Sequence, residues 1–262
     1  MNRRSGAIFV VLLLTLAACG TGRGAGSSSA GPAYQVVRPR QVSTVVPAVA
    51  APNTAPVPAS TDPPAYLVAT VTVPSLPVYS SPAAPSPEQT LANPNSLGAP
   101  LVLLVMQVAQ PWVQAYLPER PNGASGWVPA KDVTLTSDTY HLAVSLGGRQ
   151  LTLYQANNPI FQTPVAVGAP SSPTPPGLFY VTETIRITTP GTPYGPYALG
   201  LSGFSDVYTS FDGGPGQVAI HGTDQPFLIG SYASHGCIRL SNSAITQLAS
   251  QVPAGTPVLI TA

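Results

Sequence analysis

The feature that most restricts the fold of this chain is the shortness of its apolar segments. Short β-branched and aromatic runs alternate with proline, glycine and asparagine, and the 262 residues include 32 prolines and 24 glycines. Runs of this kind favour strands, because a helix needs about ten or more residues without such breaks. The sequence therefore predicts a mainly β protein in which helices are scarce.

One segment near the C-terminus has the pattern of a helix. Ser241 or Asn242 is placed to cap its N-terminus, and Pro253 ends it. The predicted apolar face of this helix consists of Ile245, Leu248 and Ala249. We expect one or two short helices in the chain, and this is the clearest of them.

Residues 66–136 contain a first group of predicted strands, with runs that begin at Tyr66, Pro100, Trp112 and Gly126. The order of its aromatic residues and its Gly-Trp-Val ending resemble a bacterial SH3-like domain. The resemblance implies a small β-barrel. Trp112 and Trp127, the two tryptophans of the chain, are expected to fill its core, with a role as stacking platforms for a sugar or peptide as the alternative.

The N-terminal residues predict export. Arg3 and Arg4 precede an uncharged apolar run over residues 7–16, which is about half as long as a membrane-spanning helix. Small residues before Cys19 resemble the lipobox of bacterial lipoproteins. Residues 1–19 are therefore expected to be a signal peptide with lipid attached at Cys19, and an ordinary signal peptide cleaved beside this cysteine is the alternative. The expected product is an exported, membrane-anchored lipoprotein.

Residues 20–65 are rich in Pro, Ala, Ser, Thr and Val and carry few charges. We expect a tether of disordered to polyproline II character, because such a segment cannot bury enough apolar surface to fold alone.

In the whole chain, charged residues make up 7% and the formal net charge is +1. A nucleic-acid-binding protein would need a basic stripe, so this class is excluded.

A second folded region is predicted over residues 138–262. Strand patterns begin at His141, Gln150 and Ile160, and Gly147-Gly148 between the first two indicates a hairpin. A long strand is predicted over residues 178–187 and a last one near the C-terminus. His141 stands at the head of a strand far from the cysteine described next, so a structural role is expected for it.

The chemistry of this region centres on one cysteine and two histidines. Residues 220–222 read Ile-His-Gly, and residues 234–240 read Ser-His-Gly-Cys-Ile-Arg-Leu. A thiol beside an imidazole is the minimum set for covalent acyl transfer. If Cys19 carries lipid, Cys237 has no disulfide partner, and a free thiol in an exported protein favours catalysis.

Cys237 needs assistance, because an ordinary cysteine is only about 3% thiolate at pH 7. His221 or His235 could accept its proton, and the N-terminus of the following helix could stabilise the thiolate. Spacing alone does not decide between the two histidines. Gly222 and Gly236 allow a substrate backbone to approach closely. The expected oxyanion hole consists of the backbone N–H groups of His235, Gly236 and Cys237.

With these motifs, residues 138–262 resemble the L,D-transpeptidase catalytic domain of bacteria, including a Thr-Pro-Pro-Gly turn at residues 174–177. The resemblance implies a mainly β fold, here a transpeptidase-type β-sandwich after the SH3-like β-barrel. It also implies a cysteine acyltransferase, without cofactor or metal, that acts on peptidoglycan stem peptides at the cell wall or periplasm. An acidic residue is common in the family where Ala244 stands, and its loss is expected to leave activity intact.

The resemblance also implies roles for individual residues. His221 takes the thiol proton while the carbonyl of Gly222 orients its ring, and His235 shapes the oxyanion site. Arg239 and Ser234 are the predicted substrate contacts, although Arg239 could instead brace the loop through hydrogen bonds to carbonyl groups. Carbapenem-type inhibitors are expected to acylate Cys237.

Several functions share this set of residues. Attack by an amine on a cysteinyl thioester forms a 3–3 cross-link, attack by water makes an L,D-carboxypeptidase, and another amine attaches a protein to peptidoglycan. Two alternatives are of other classes. One is a structural zinc site at His221, His235 and Cys237, which lacks an obvious fourth ligand. The other is a wall-binding lipoprotein without catalytic activity.

Overall fold

The structure, a computed structural model, describes residues 34–37 and 65–262. The predicted signal peptide with Cys19 and most of the predicted tether lie outside the described residues. Within the described ranges the protein is mainly β, as predicted, with one α-helix and two short 3-10 helices. No helix in this part of the chain is both long and apolar enough to cross a membrane.

The first described strand, β1 (Tyr34–Val37), is followed by a group of strands over residues 66–138. This group consists of β2 (Tyr66–Val71), β3 (Ser75–Val78), β4 (Gln89–Ala92), β5 (Val102–Ala109), β6 (Trp112–Tyr116), β7 (Ser125–Pro129), a 3-10 helix (Ala130–Asp132) and β8 (Val133–Asp138). Five of these strands form an antiparallel sheet in the order β7-β6-β5-β2-β8, and β3 pairs with β4. We call this group the N-terminal sheet.

The two tryptophans do not fill the core of the N-terminal sheet. Val113 and Val128 are fully buried, and side chains alternate along a strand, so their neighbours Trp112 and Trp127 lie on the opposite face. Both tryptophans are half-buried there, and Trp112 packs edge-on against Tyr79 at 4.9 Å between ring centroids. The core is filled instead by smaller aliphatic side chains from β2, β3, β5, β6 and β7.

The second group of strands covers residues 140–261. It consists of β9 (Tyr140–Ser145), β10 (Gln150–Gln155), β11 (Asn158–Pro164), β12 (Val167–Gly168), β13 (Gly177–Ile187), β14 (Tyr197–Phe204), β15 (Gln217–His221), a 3-10 helix (Pro226–Leu228), β16 (Tyr232–Ser234), β17 (Ile238–Arg239), α1 (Asn242–Gln251) and β18 (Pro257–Thr261). The predicted hairpin at Gly147-Gly148 is confirmed, since it joins β9 to β10.

These strands build one nine-stranded sheet in the order β11-β10-β9-β18-β13-β14-β15-β17, with β1 paired to β13, and a separate parallel pair of β12 and β16. Leu142 and Leu151 near one end of the sheet share a core with Ile220 and Ile238 at the other end. The sheet therefore curls around a single apolar core rather than forming two independent layers. We call it the curled sheet.

Helix α1 forms where the sequence predicts it. Ser241 is its N-cap, and the Ser241 hydroxyl accepts a hydrogen bond of 3.2 Å from the N–H of Ala244. Ile245 and Leu248 are fully buried in the core of the curled sheet, where the helix packs against β14 and β15. Ala244 is buried in the same core, which explains why an apolar residue is suited to this position.

Strand β1 was not expected, because it lies within the proline-rich segment that was predicted to lack strands. Its residues pair antiparallel with β13, and Val36 is opposite Ile185. Pairing with a strand that is already ordered supplies the backbone hydrogen bonds that the segment could not form alone. At least these four residues of the predicted tether are therefore part of the folded protein.

The N-terminal and curled sheets are packed against each other within one compact unit of the chain. Tyr180 of β13 is completely buried among Val68, Val102 and Leu104 of the N-terminal sheet. The Tyr180 hydroxyl donates a hydrogen bond of 3.3 Å to the carbonyl of Tyr116. The predicted division near residue 137 is thus a boundary between sheets that share a substantial interface.

Candidate active site

A cavity of about 400 Å³ lies at the β14–β15–β17 end of the curled sheet. Five of the predicted site residues line it: His221, His235, Gly236, Cys237 and Arg239. The other lining residues are Pro193, Tyr194, Ser205, Tyr208, Phe211, Asp212, Gly216, Gln217 and Val218. The structure therefore brings together the two sequence motifs that are separated in the chain.

The pairing of β15 with β17 explains why the two sequence motifs lie side by side. The two strands are parallel, with Ile220 opposite Ile238 and His221 opposite Arg239. Side chains alternate between the faces of a sheet, and both isoleucines are fully buried in the core. His221 and Arg239 therefore point to the other face, and Cys237, two residues before Arg239, joins them there. An imidazole, a thiol and a guanidinium group thus share one face of two neighbouring strands.

The His221 ring is buried and has a defined orientation. Only 2% of the residue is exposed, and Nδ1 lies 2.6 Å from the carbonyl oxygen of Gly222. A carbonyl can only accept, so Nδ1 carries the hydrogen and Nε2 of the neutral ring carries the lone pair. The contact implied by the resemblance is therefore present. Gly222 itself does not line the cavity; its Cα lies against Gly195 and Asn242.

Burial lowers the pKa of His221 to about 4, and the positive charge of Arg239 acts in the same direction. The hydrogen bond to Gly222 opposes this shift without overcoming it. The edge of the His221 ring also meets the ring of Tyr194, with 5.1 Å between centroids. His221 is consequently neutral at physiological pH, with one nitrogen free to accept a proton.

The thiol of Cys237 is also neutral, which differs from the expectation of a stabilised thiolate. Burial raises the pKa of Cys237, although a backbone hydrogen bond with Ala219 and the charge of Arg239 act in the opposite direction. The residue as a whole is partly exposed, and it forms no disulfide. Helix α1 packs on the core side of the sheet, where Ile245 and Leu248 share the apolar core with Ile220 and Ile238.

Ser234 holds the loop that carries the cysteine. Its hydroxyl donates to the carbonyl of Cys237 and accepts a hydrogen bond of 3.1 Å from the N–H of Gly236. Ser234 is 1% exposed and does not line the cavity. The predicted contact between Ser234 and substrate does not fit this position, and the side chain instead fixes the backbone around Cys237.

The same contacts change the predicted oxyanion hole. The N–H of Gly236 already has an acceptor in Ser234, so it is not free to bind a developing oxyanion. The backbone of Gly236 has a φ of 120°, a conformation that residues with a side chain rarely adopt. Of the three amides predicted, those of His235 and Cys237 remain as candidate donors.

Arg239 lines the cavity with an unsatisfied donor. Its Nε is buried, and it has no hydrogen-bond partner among the residues that the structure describes. The sequence left open whether Arg239 braces the loop or binds a carboxylate. Bracing by the side chain is not observed, because the hydrogen bonds that join Arg239 to Ala166 involve only the backbone of both residues.

A comparison with known proteins bears directly on this site. The L,D-transpeptidase catalytic domain family matches residues 139–260. The L,D-transpeptidase YqjB of Bacillus subtilis is 31% identical over 139 residues, which are 49% of this chain and 70% of that protein. This chain belongs to the L,D-transpeptidase family. YkuD of the same organism is 43% identical over 122 residues, and the match spans 46% of this chain and 65% of YkuD, less than two thirds of its length.

A solved L,D-transpeptidase structure from Enterococcus faecium is 26% identical, covers 47% of this chain and 50% of its own chain, and has a TM-score of 0.36. The family match and the identity to YqjB confirm the resemblance expected from the Ser-His-Gly-Cys motif, on the basis of sequence, for the region that contains the cavity.

Sequence reasoning did not find the residues that enclose the cavity of this L,D-transpeptidase domain. The Tyr194 hydroxyl donates a hydrogen bond of 2.7 Å to a carboxylate oxygen of Asp212, and burial raises the pKa of Tyr194. Tyr208 and Phe211 contact the ring of His235, with 6.0 and 5.3 Å between centroids. These residues lie in irregular segments without a periodic pattern, so the sequence offered no signal for them.

Two further expectations concern residues outside the reaction. His141 lies between the rings of Tyr66 and Tyr154, at 5.7 and 4.7 Å, and does not line the cavity. Its placement is that of a structural residue.

Among the described residues, no cluster of three or more His, Cys, Asp or Glu side chains is arranged to hold a metal ion, so the zinc alternative lacks a ligand set.

Proposed function

We propose that this protein is a peptidoglycan L,D-transpeptidase that forms 3–3 cross-links through a thioester on Cys237. The observation that carries this proposal is the hydrogen bond from His221 Nδ1 to the Gly222 carbonyl. It leaves Nε2 as the basic nitrogen of a neutral imidazole in the cavity that also contains the thiol. A neutral base beside a free thiol is the arrangement that covalent acyl transfer requires.

The first half-reaction transfers an acyl group to the enzyme. Cys237 Sγ attacks the carbonyl between the L-centre of the diamino acid and the terminal D-alanine, while its proton passes to His221 Nε2. The carbonyl oxygen becomes an oxyanion, for which the N–H groups of His235 and Cys237 are the candidate donors. When the carbonyl re-forms, the bond to D-alanine breaks and the leaving nitrogen takes the proton from His221. A thioester on Cys237 remains.

The second half-reaction releases the enzyme. A side-chain amine of another stem peptide attacks the thioester, and His221 accepts the proton that this nitrogen loses. Collapse of the intermediate breaks the carbon–sulfur bond, and the sulfur recovers a proton from His221. The product is a cross-link between two diamino acids. Water in place of the amine gives the L,D-carboxypeptidase reaction, which uses the same groups.

The pKa directions determine how the thiol is activated. The thiol pKa is raised and that of His221 is about 4, so a thiolate–imidazolium pair is a minor species before substrate arrives. Proton transfer therefore accompanies sulfur attack instead of preceding it. This order keeps the free thiol of an exported enzyme less reactive toward other electrophiles, because the thiolate is the nucleophilic form.

Arg239 is the proposed contact for a carboxylate of the stem peptide. Its buried Nε has no partner among the residues that the structure describes, and an arginine fork suits a carboxylate. Lipid attachment at Cys19, export to the cell wall or periplasm, and an SH3-like function for residues 66–136 also belong to this proposal. They are supported by the sequence patterns alone.

The proposal is tested with a disaccharide tetrapeptide as the substrate of the purified protein. Wild type is expected to release D-alanine and to form a cross-linked dimer, both detected by mass spectrometry. Cys237→Ala should abolish both products, and Gln247→Ala, a change on the exposed side of α1, should leave them unchanged. D-alanine release without a dimer would instead assign the carboxypeptidase reaction, and no release from wild type would refute an enzyme acting on this bond.

A further inference from the structure

We infer that the N-terminal sheet positions one wall of the active-site cavity, with Arg120 and Asn122 as the positioning residues. Both lie in the loop between β6 and β7. The wall is the segment over residues 205–216, which joins β14 to β15 and which we call the wall loop. The inference deepens the proposed function, on which its kinetic part depends.

Arg120 fastens the wall loop at three places. One guanidinium nitrogen donates to the carbonyl of Ser205 at 2.8 Å, and the other donates to the carbonyls of Tyr208 at 2.9 Å and Pro215 at 3.3 Å. The guanidinium group also lies over the ring of Phe204, 5.1 Å from its centroid. One side chain of the N-terminal sheet thus joins the start, the middle and the end of the loop.

Asn122 fixes the point where the wall loop leaves β14. Its amide oxygen accepts from the N–H of Phe204 and its amide nitrogen donates to the carbonyl of the same residue, both at 2.8 Å. This pair of bonds resembles the pairing of two strands and fixes both the position and the direction of the backbone. An alanine at position 122 would remove both bonds, and with them a longer bond of 3.4 Å from the amide nitrogen to a carboxylate oxygen of Asp206 in the wall loop.

The wall loop is folded closely enough to need these contacts. Gly216 has a φ of 72°, and a Cβ there would collide with the carbonyl of Tyr208, which also accepts from Arg120. Within the loop, Phe211 and Gly214 exchange hydrogen bonds of 3.0 and 2.9 Å. The loop is therefore compact. Arg120 of the N-terminal sheet fastens its backbone, and Tyr194, which lies between β13 and β14, adds one hydrogen bond to the side chain of Asp212.

The position of the wall loop affects the site directly. Tyr208 and Phe211 pack on His235, and Asp212 accepts the hydrogen bond from Tyr194, whose ring meets His221. Cys237 and His221, by contrast, are held by β15 and β17 and not by this loop. Release of the loop should therefore weaken the binding of a bulky acyl donor without moving the thiol or the base.

The experiment compares Arg120→Ala, Arg120→Lys and Asn122→Ala with Arg186→Ala, which removes an exposed arginine on β13. In Arg120→Ala, hydrogen exchange at the amides of Phe211 and Gly214 should be faster by about tenfold or more, as expected from the loss of hydrogen bonds to a charged group. Arg120→Lys keeps the charge but not the fork, so its exchange should fall between those of wild type and Arg120→Ala. Arg186→Ala should match wild type.

Two kinetic measurements separate positioning from a general loss of structure. The KM for the disaccharide tetrapeptide should rise by about tenfold in Arg120→Ala while kcat stays within about twofold. Alkylation of Cys237 by iodoacetamide, which is small and needs no wall, should not be slowed. Asn122→Ala should change the same quantities in the same direction, which provides the test if Arg120→Ala does not fold.

Unchanged exchange at Phe211 and Gly214 in a folded Arg120 variant would overturn the inference. A fall in kcat and in the alkylation rate as large as the rise in KM would also overturn it, because the catalytic pair would then have moved with the loop. Should wild type fail to release D-alanine, the proposed function fails, whereas the exchange measurement still decides whether the N-terminal sheet holds the wall.

Discussion

His221 and Cys237 are both uncharged in the resting protein, and burial is the main cause for each. The sequence suggested an imidazole that promotes a thiolate, whereas the packed site favours the neutral form of both groups. Two neutral groups can still react, because the imidazole needs only an accessible lone pair and the thiol only an electrophile. Reactivity at this site is thus coupled to the arrival of substrate.

The buried imidazole should make the protein sensitive to acid. Its pKa is about 4 when folded against 6.5 for an ordinary histidine, so between these values only the unfolded state binds the proton. The contribution of the neutral His221 to the free energy of unfolding is therefore complete above pH 6.5 and is lost as the pH falls toward 4. The difference between the two pKa values corresponds to about 3 kcal/mol. Urea unfolding from pH 7 to 4 should show this extra loss in wild type relative to His221→Gln.

Burial raises the pKa values of Asp138 and Glu183, so these two groups stabilise the folded protein more as the pH falls, which is the opposite of the effect of His221. Wild type and His221→Gln are therefore compared at each pH, because the effect of the two carboxyl groups is the same in both and cancels. If wild type and His221→Gln lose the same free energy of unfolding over this range, the account of His221 is wrong.

The hydroxyl of Ser234 should matter for acylation more than for the thiol itself. Ser234→Ala leaves a backbone N–H and a carbonyl beside Cys237 without partners, which costs about 1–3 kcal/mol for each buried group. We expect the acylation rate to fall by at least tenfold, as for a disturbed oxyanion hole, with a much smaller change in iodoacetamide alkylation. The exposed Ser250→Ala is the control. Equal effects on both rates would contradict this role.

Among the elements, those specified by local sequence were predictable and those specified by distant pairing were not. The β9–β10 hairpin and α1 carry their own turn and capping residues, so they were found. Strand β1 depends on β13, about 150 positions away, and its four residues have no pattern that indicates this partner. The site divides in the same way, since the motif residues were predicted and the wall residues were missed.

The pairing of β1 gives a prediction for this element. Gln35→Pro removes the backbone N–H that faces Arg186 and should release β1 from β13, because proline is poorly tolerated where the strand N–H is bonded. Hydrogen exchange at the amides of Thr184 and Arg186, which face β1, should then increase by about tenfold or more, while D-alanine release is retained. Tyr34→Ala, at the exposed end of β1, is the matched control. Unchanged exchange in the proline variant would show that β1 does not protect this part of β13.

At the scale of the whole molecule, the two sheets are joined by an interface with both apolar and polar contacts. Tyr180 fills the apolar part, and Asn95 of the N-terminal region donates a hydrogen bond of 2.8 Å to the buried carboxyl group of Glu183 on β13. The sequence placed a boundary near residue 137 because the strand pattern restarts there. It could not show this interface, because the contributing residues are far apart in the chain.

The interface should make the two sheets unfold together. Both tryptophans lie in the N-terminal sheet, so their fluorescence reports on that sheet, whereas far-UV circular dichroism reports on the whole chain. The two denaturation curves should coincide in wild type and separate in Tyr180→Ala, which leaves a large cavity in the interface at a cost of about 3–5 kcal/mol. Tyr232→Ala, at an exposed position, should behave as wild type. Coincident curves in Tyr180→Ala would contradict the coupling.

The central claim is that Cys237 forms the acyl-enzyme with His221 as its base. Intact mass spectrometry after incubation with a carbapenem tests it most directly, because ring opening adds the whole inhibitor to the nucleophile. Wild type should gain the mass of one carbapenem, His221→Gln should do so far more slowly, and Cys237→Ala should gain none. An adduct on Cys237→Ala, or none on folded wild type, would contradict the account.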